Sequence, residues 1–265
     1  MTTYQSIIIG IVEGLTEFLP ISSTAHMRIT ENFLGIANDD AFSKLFTIAI
    51  QLGAILSVLV LYWKKFFQFK NWSFYFKLLT AVIPALIFGK LFSEKIDIIL
   101  EKPIIIAFIM IAGGVIFLFI DKMFTVHTIE TEEQINYGTA FKIGLFQCLA
   151  VLFPGLSRSA STIIGGMSLK LTRAAAAEFS FFLAVPTMLA ATAYKLLKFI
   201  KENDGITSHQ IQQLAIGNVV AFIVALLAIK FFIGFLQKHG FKIWGYYRII
   251  VGVVLLGLIF SGFLK

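Results

Sequence analysis

Cysteine is almost absent from this chain of 265 residues. Cys148 stands alone, so neither an intrachain disulfide nor a thiolate metal cage can form. Charge is scarce too. Asp, Glu, Lys and Arg make up 14% of the residues against 58% hydrophobic, and the mean hydropathy is +0.88. That balance excludes a soluble globular protein, and no large hydrophilic stretch exists from which a second, soluble domain could be built. Residues 1–265 read as one polytopic membrane domain of the all-α class. Acidic residues are the scarcer sign, 15 against 22 Lys and Arg, for a formal charge of +7. Among so few charges, that surplus fits basic cytoplasmic loops better than a nucleic-acid surface, and no nucleic-acid partner is expected. The opening also lacks basic residues. The first is Arg28, so the start has no positive region of a cleavable signal peptide and is expected to belong to the mature fold.

What is present is concentrated in two stretches. The first is Gly10-Ile11-Val12-Glu13-Gly14-Leu15-Thr16-Glu17-Phe18-Leu19-Pro20-Ile21-Ser22-Ser23-Thr24-Ala25-His26. Glu13 and Glu17 are four residues apart, so a helix stacks them on one face. Pro20 cannot continue that helix, and Ser22, Ser23 and Thr24 offer N-cap chemistry for another. A glutamate pair at this spacing is an ordinary solvated face in a soluble helix, but inside an apolar span ionisable groups are costly and mark a site. The hydroxyls can serve as plain caps or as phosphate ligands. His26, three residues beyond Ser23, shares its helix face. The spacing predicts helix, break, helix, with the acids facing backbone N–H groups, hydroxyls and an imidazole.

The second stretch is Phe153-Pro154-Gly155-Leu156-Ser157-Arg158-Ser159-Ala160-Ser161-Thr162. At a constant offset of 134, Gly10 falls on Gly144, Leu15 on Leu149, Pro20 on Pro154 and Ser23 on Ser157. In that register Gln147 replaces Glu13, Val151 replaces Glu17 and Arg158 falls opposite Thr24, so one copy carries the acids and the other the base. An arginine among serines, at a helix start after a Pro-Gly break, is an oxyanion receptor built from N–H groups, helix dipole, hydroxyls and a guanidinium fork. Ser22, Thr24, Ser157, Arg158, Ser159 and Thr162 are the candidate phosphate contacts. The acid pair beside them suggests a hard divalent cation, Mg²⁺ or Ca²⁺, held by Glu13 and Glu17.

Six apolar runs read as spans: Ala41 to Tyr62, Phe74 to Phe92 with an interruption at Pro84, Pro103 to Ile120, Ala174 to Tyr194, Ile211 to Phe232 and Ile243 to Phe263. Residues 121–138 are polar and read as a surface loop. The helix pairs around the two motifs are too short to cross a core of roughly 30 Å at about 1.5 Å per residue, so they are expected to be re-entrant. Each half, about 1–135 and 136–265, is then one re-entrant pair plus three spans. Three is odd, which makes the halves an inverted repeat. Lys64, Lys65, Lys70, Lys122, Lys142, Lys170, Arg173, Lys238 and Lys242 share one side, and Lys95, Lys102, Lys195, Lys198, Lys201 and Lys265 the other. The first group is larger, which places both termini outside the cytoplasm. Glu178, near a span start, fits a structural or a catalytic part equally, while His127, His209 and His239 fall in polar segments and read as solvated.

With these motifs in hand, the chain resembles the bacterial undecaprenyl-diphosphate phosphatase family, also called the bacitracin-resistance family. The carriers are Glu13 to His26 and Pro154 to Thr162 as quoted, with Glu178-Phe179-Ser180-Phe181 and Ala184-Val185-Pro186, and the likeness spans the whole chain. It departs at Ala25 and Ala160, where glycine is expected. The resemblance implies an enzyme of the bacterial cytoplasmic membrane that hydrolyses undecaprenyl diphosphate to the monophosphate from the extracytoplasmic side, recycling the lipid carrier of peptidoglycan synthesis. It also implies that Glu13 and Glu17 are the acidic motif, Ser23 and His26 the hydroxyl and histidine, and Arg158 the diphosphate-binding arginine. The resulting expectation is a metal-assisted lipid diphosphate phosphatase with His26 as proton shuttle and Ser23 as nucleophile or phosphate ligand. A secondary transporter or lipid flippase is the first rival and an intramembrane serine protease the weaker one; the oligomeric state, a homodimer included, is left open.

Overall fold

The computed structural model describes residues 1–37, 40–100, 102–203 and 205–264, with the side chains of 93–100 outside the description; Lys265 and the side chain of Lys95, both used in the charge count, lie outside it too. Among the described residues there is no strand, only one isolated bridge between Ile129 and Leu171. The chain builds α1 (Thr3–Thr16), α2 (Ser23–Phe33), α3 (Ala41–Ala49), α4 (Gln51–Leu61), α5 (Trp63–Phe66), α6 (Trp72–Leu100), α7 (Pro103–Met123), α8 (Tyr137–Leu152), α9 (Arg158–Ser168), α10 (Arg173–Glu202), α11 (Ser208–His239) and α12 (Lys242–Phe260).

Six segments are long and apolar enough to cross a membrane: Ala41–Leu61, formed by α3 and α4 together, Trp72–Phe92 of α6, and α7, α10, α11 and α12. Each corresponds to an expected span, and the chain is a multi-pass membrane protein. Their outer faces carry Leu86, Phe108, Ile223, Leu227, Ile250 and Val253 exposed at mid-helix. Such surfaces are stable only in hydrocarbon. The expected interruption at Pro84 is absent: α6 runs through it, and α10 runs through Pro186. Proline removes one helical hydrogen bond, whereas leaving the helix in hydrocarbon would strip several backbone groups of partners, so the helix continues.

The helices around the two motifs have 14, 11, 16 and 11 residues. At about 1.5 Å per residue even the longest reaches only about 24 Å, short of the bilayer core. α1 packs on α2 and along α11, α8 packs on α9 and along α6, and α7 packs on α12. Small residues let these pairs close. A Cβ on Gly144 would sit 2.2 Å from the Ala81 carbonyl oxygen, and one on Gly14 would sit 2.7 Å from that of Ala221. Gly144→Ala is therefore expected to lower the melting temperature in detergent by an amount equivalent to about 1–3 kcal/mol, the usual cost of overpacking. Gly89→Ala, with nothing within 4 Å, should leave it unchanged.

The polar segment 121–138 is more than a surface loop. Glu132 is buried there in a short 3₁₀ turn and ion-pairs with Lys77 and Lys65, each at 3.3 Å. Asp121 takes Arg173 Nε at 2.8 Å and the Phe241 N–H at 2.8 Å. Lys77, itself buried in α6, has its charge met only when this segment folds back over the helix ends. Composition suggests a solvated loop because it cannot show that pairing.

Candidate functional site

The last turn of α1 holds Glu13, and the Glu17 N–H still bonds the Glu13 carbonyl at 3.0 Å, so the acid pair stacks as the spacing requires. Pro20 stops the helix. The chain turns and restarts at Ser22, whose φ of 70° is left-handed and whose Oγ accepts from the Ala25 N–H at 3.4 Å. The second break repeats this device at Ser157, with φ 74° and its Oγ accepting from the Ala160 N–H at 3.3 Å. A non-glycine residue held at positive φ costs on the order of 1–3 kcal/mol and persists where surrounding structure enforces it. Ala25 and Ala160, the two departures from the family pattern, are thus the capped residues of the new helices.

Aligned by these caps, the two breaks take a different register from the one that the offset of 134 gives. The prolines are 134 residues apart but the cap serines 135, because Gly155, at φ 98°, adds one residue to the second break. Helices α2 and α9, each of 11 residues, start at Ser23 and Arg158. Arg158 therefore stands opposite Ser23 rather than Thr24, and Ser157 stands opposite Ser22 rather than Ser23.

The two breaks meet through side chains. Ser23 Oγ donates to Glu17 Oε2 at 2.6 Å, and Arg158 Nη2 donates to Glu17 Oε1 at 3.3 Å. Arg158 Nη1 reaches the Ser180 carbonyl at 2.9 Å, and Ser180 Oγ lies 2.7 Å from Thr162 Oγ1. Ser159 Oγ donates to the Leu19 carbonyl at 2.8 Å, tying the second break to the first, and Ser157 Oγ lies 2.9 Å from Ser159 Oγ. Glu17 is the hub, with one oxygen for each motif. Arg158 Nε is buried without a partner among the described residues, which leaves the Nε/Nη2 edge as the face that can take a bidentate anion.

His26 is held differently from the expectation. Its Nδ1 lies 2.7 Å from the Ser22 carbonyl, which can only accept, so Nδ1 carries the proton. Nε2 then accepts from the Tyr247 hydroxyl at 2.8 Å, with the rings stacked at 5.6 Å. Neither nitrogen faces Ser23, whose hydroxyl hydrogen bond goes to Glu17. Helical period puts Ser23 and His26 on one face, yet each takes a different partner. Thr24 borders a cavity of about 500 Å³ that Arg28, Lys44, Lys195 and Lys198 also line.

Glu13 is completely buried, and among the described residues neither carboxylate oxygen has a hydrogen-bond partner. Its charged neighbours are Glu17 and Arg158. Two buried carboxylates facing one guanidinium leave one negative charge uncompensated, a costly state in a membrane. A divalent cation fits that donor set, with Glu13 as the carboxylate still free to ligate. Among the described residues no group of three or more His, Cys, Asp or Glu could hold a metal, so hydroxyl, carbonyl, water or phosphate oxygens would complete its shell.

Several residues lie outside the cluster or were not singled out from sequence. Glu178 accepts from the Tyr62 hydroxyl at 3.4 Å and is not among the site contacts. His209 and His239 contact groups four residues away on their own helix, and His127 Nδ1 lies 3.0 Å from the Leu171 carbonyl, all away from the cluster. Ser180 belongs to the Glu178-Phe179-Ser180-Phe181 motif, which by itself assigns it no role, and Tyr247 carries no local signal. Arg248 is a lone cation inside an apolar span, and the cost that marks Glu13 marks it equally.

Comparison with known proteins adds a second line. The family model described as bacitracin resistance protein BacA matches residues 6–254. An undecaprenyl-diphosphatase of Flavobacterium psychrophilum is 59% identical over 97% of this chain and 95% of its own. Its counterpart in Porphyromonas gingivalis strain W83 is 51% identical over 99% and 98%, and that of Enterococcus faecalis 46% over 94% of each.

Proposed function

Because the chain belongs to the bacitracin resistance protein BacA family, we propose that it hydrolyses undecaprenyl diphosphate to undecaprenyl phosphate and inorganic phosphate, recycling the lipid carrier of cell-wall synthesis. The observation that carries this reading is Glu17 joining Ser23 of one break to Arg158 of the other. That junction sets an anion receptor, a hydroxyl nucleophile and a carboxylate base within one buried cluster.

Arg158 binds the diphosphate through its Nε/Nη2 edge, aided by N–H groups at the starts of α2 and α9 and by Ser157, Ser159 and Thr162. In the first break Ser22 caps α2, and Thr24 lines the basic cavity with Arg28 and Lys44. The Ser23 oxygen attacks the terminal phosphorus as its proton passes to Glu17, and the bond from that phosphorus to the bridging oxygen breaks. Prenyl monophosphate leaves with its oxygen charged, an adequate leaving group that needs no proton. Water then attacks the phosphoserine phosphorus and the bond to Ser23 Oγ breaks; the proton held on Glu17 returns to that oxygen, and phosphate leaves carrying the protons of the water. Glu13, with Glu17, would hold Mg²⁺ or Ca²⁺, which supplies charge neutralisation on the diphosphate. The positive-side count and the short helix pairs support an inverted-repeat enzyme of the bacterial cytoplasmic membrane, with re-entrant hairpins opening to the extracytoplasmic side. The contacts named come from one chain, so a homodimer is compatible with the site but not required by it. The Ser23–Glu17 pairing gives the acids a part that a serine-protease reading leaves unassigned.

The test is phosphate release by purified protein from a long-chain prenyl diphosphate. Release is expected, lost on chelation and restored by Mg²⁺ or Ca²⁺. Translocation without release would make the protein a transporter, and full turnover after chelation would remove the cation from Glu13.

A further inference from the structure

Arg248, in α12, is fully buried, yet it has no carboxylate partner among the described contacts. Its N–H groups go instead to backbone carbonyls of three separate segments. Nη1 donates to Pro20 and to Leu156, each at 3.0 Å, Nη2 to Gly155 at 3.0 Å, and Nε to Met110 at 3.4 Å. Pro20 lies in the first break and Gly155 and Leu156 in the second. A broken helix leaves carbonyls without intrahelical partners, and in hydrocarbon no water replaces them. One planar guanidinium meets these needs from both breaks at once.

The surroundings are shaped around this group. A Cβ on Gly113 would come within 2.5 Å of Arg248 Nη2, so only glycine leaves room for the guanidinium there. The Phe117 ring lies 5.7 Å from the guanidinium carbon, placed for a cation–π contact. Glu17 is three residues before Pro20, and Arg158 two after Leu156. Whatever fixes the two turns relative to each other therefore fixes the Glu17–Arg158 contact. The adjacent Tyr247 holds His26 from the same helix turn.

We infer that Arg248 is a positioning residue for the phosphatase reaction, aligning the acidic and basic motifs by bridging the carbonyls of both broken-helix turns. This rests on the proposed hydrolysis. A lysine keeps the charge but cannot reach carbonyls on two sides of a plane.

The experiment is a two-by-two cycle of Arg248→Lys and Arg158→Lys, read as kcat and KM of phosphate release, with melting temperatures. Arg248→Lys alone is expected to lower kcat about 30-fold or more with KM within about threefold, since alignment acts on the transition state. In the Arg158→Lys background, where the aligned contact is already lost, the same change should lower kcat less than about threefold. Equal fold losses in both backgrounds, an effect on KM alone, or an Arg248→Lys enzyme within about threefold of wild-type kcat would each overturn the inference. If Arg248→Lys does not fold, Gly113→Ala, which displaces the guanidinium but keeps it, takes its place in the cycle with the same readings. Wild-type protein that releases no phosphate refutes the hydrolase reading itself, a result separate from all of these.

Discussion

Glu17→Gln is expected to lower kcat for phosphate release by about 10³-fold or more while leaving the protein folded. The native carboxylate accepts on both oxygens, from Ser23 at 2.6 Å and from Arg158 at 3.3 Å. An amide offers one accepting oxygen and turns an NH₂ toward either a hydroxyl or a guanidinium. If the NH₂ faces Arg158, two donors oppose each other; if it faces Ser23, the base for the nucleophile is gone. Removing one partner of a buried ion pair costs about 3–5 kcal/mol because the other charge is left stranded, which in a rate is on the order of 10²–10⁴-fold. General-base loss adds to this. Glu13 still lies near Arg158 and limits the damage to the fold. Turnover of the purified variant within about tenfold of wild type would mean that Glu17 is neither hub nor base.

Ser23→Ala should be nearly inactive, with Ser22→Ala and Thr24→Ala retaining measurable turnover. Ser23 begins α2, where N–H groups and the helix dipole favour an oxyanion, and its hydroxyl already points its proton at Glu17. If it is the nucleophile, its loss removes the covalent route altogether. If it only binds phosphate, one charge-assisted hydrogen bond is worth about 1.5–3 kcal/mol, on the order of 10²-fold at most. Ser22 has a different task. Its side chain caps the Ala25 N–H from a left-handed backbone, so its replacement by alanine should lower stability by about 1 kcal/mol with little change in kcat. Comparing melting temperature with kcat across the three variants separates cap from nucleophile. A Ser23→Ala enzyme within about tenfold of wild type assigns the attack to water instead.

Much of the architecture was legible because it is written locally. A bilayer demands unbroken apolar runs, and all six runs became spans. Pro20 and Pro154 with the serines after them announced the two breaks, since capping joins residues only three apart in the chain. The stacking of Glu13 on Glu17 likewise follows from helical period alone. Pro84 misled for the same reason: the local rule disfavours proline within a helix, and the hydrocarbon environment overrode it.

The composition and two motifs were enough to establish a multi-pass helical membrane protein with paired acids in one break and an arginine in the other. Which donor meets which acceptor was decided only in three dimensions. Arg158 and Glu17 are 141 residues apart, and Arg248 reaches back 228 residues to Pro20. Ser23 turned to Glu17 rather than to His26, and His26 to Tyr247, because the turn at Ser22 aims those side chains and α12 supplies the partner. Helix period and capping arise within one or two turns of backbone and so are visible in the order of residues. The partners of a buried charge are set by which distant backbones the helix packing brings within about 3 Å, since in a low-dielectric interior each polar group must find a partner or be expensive.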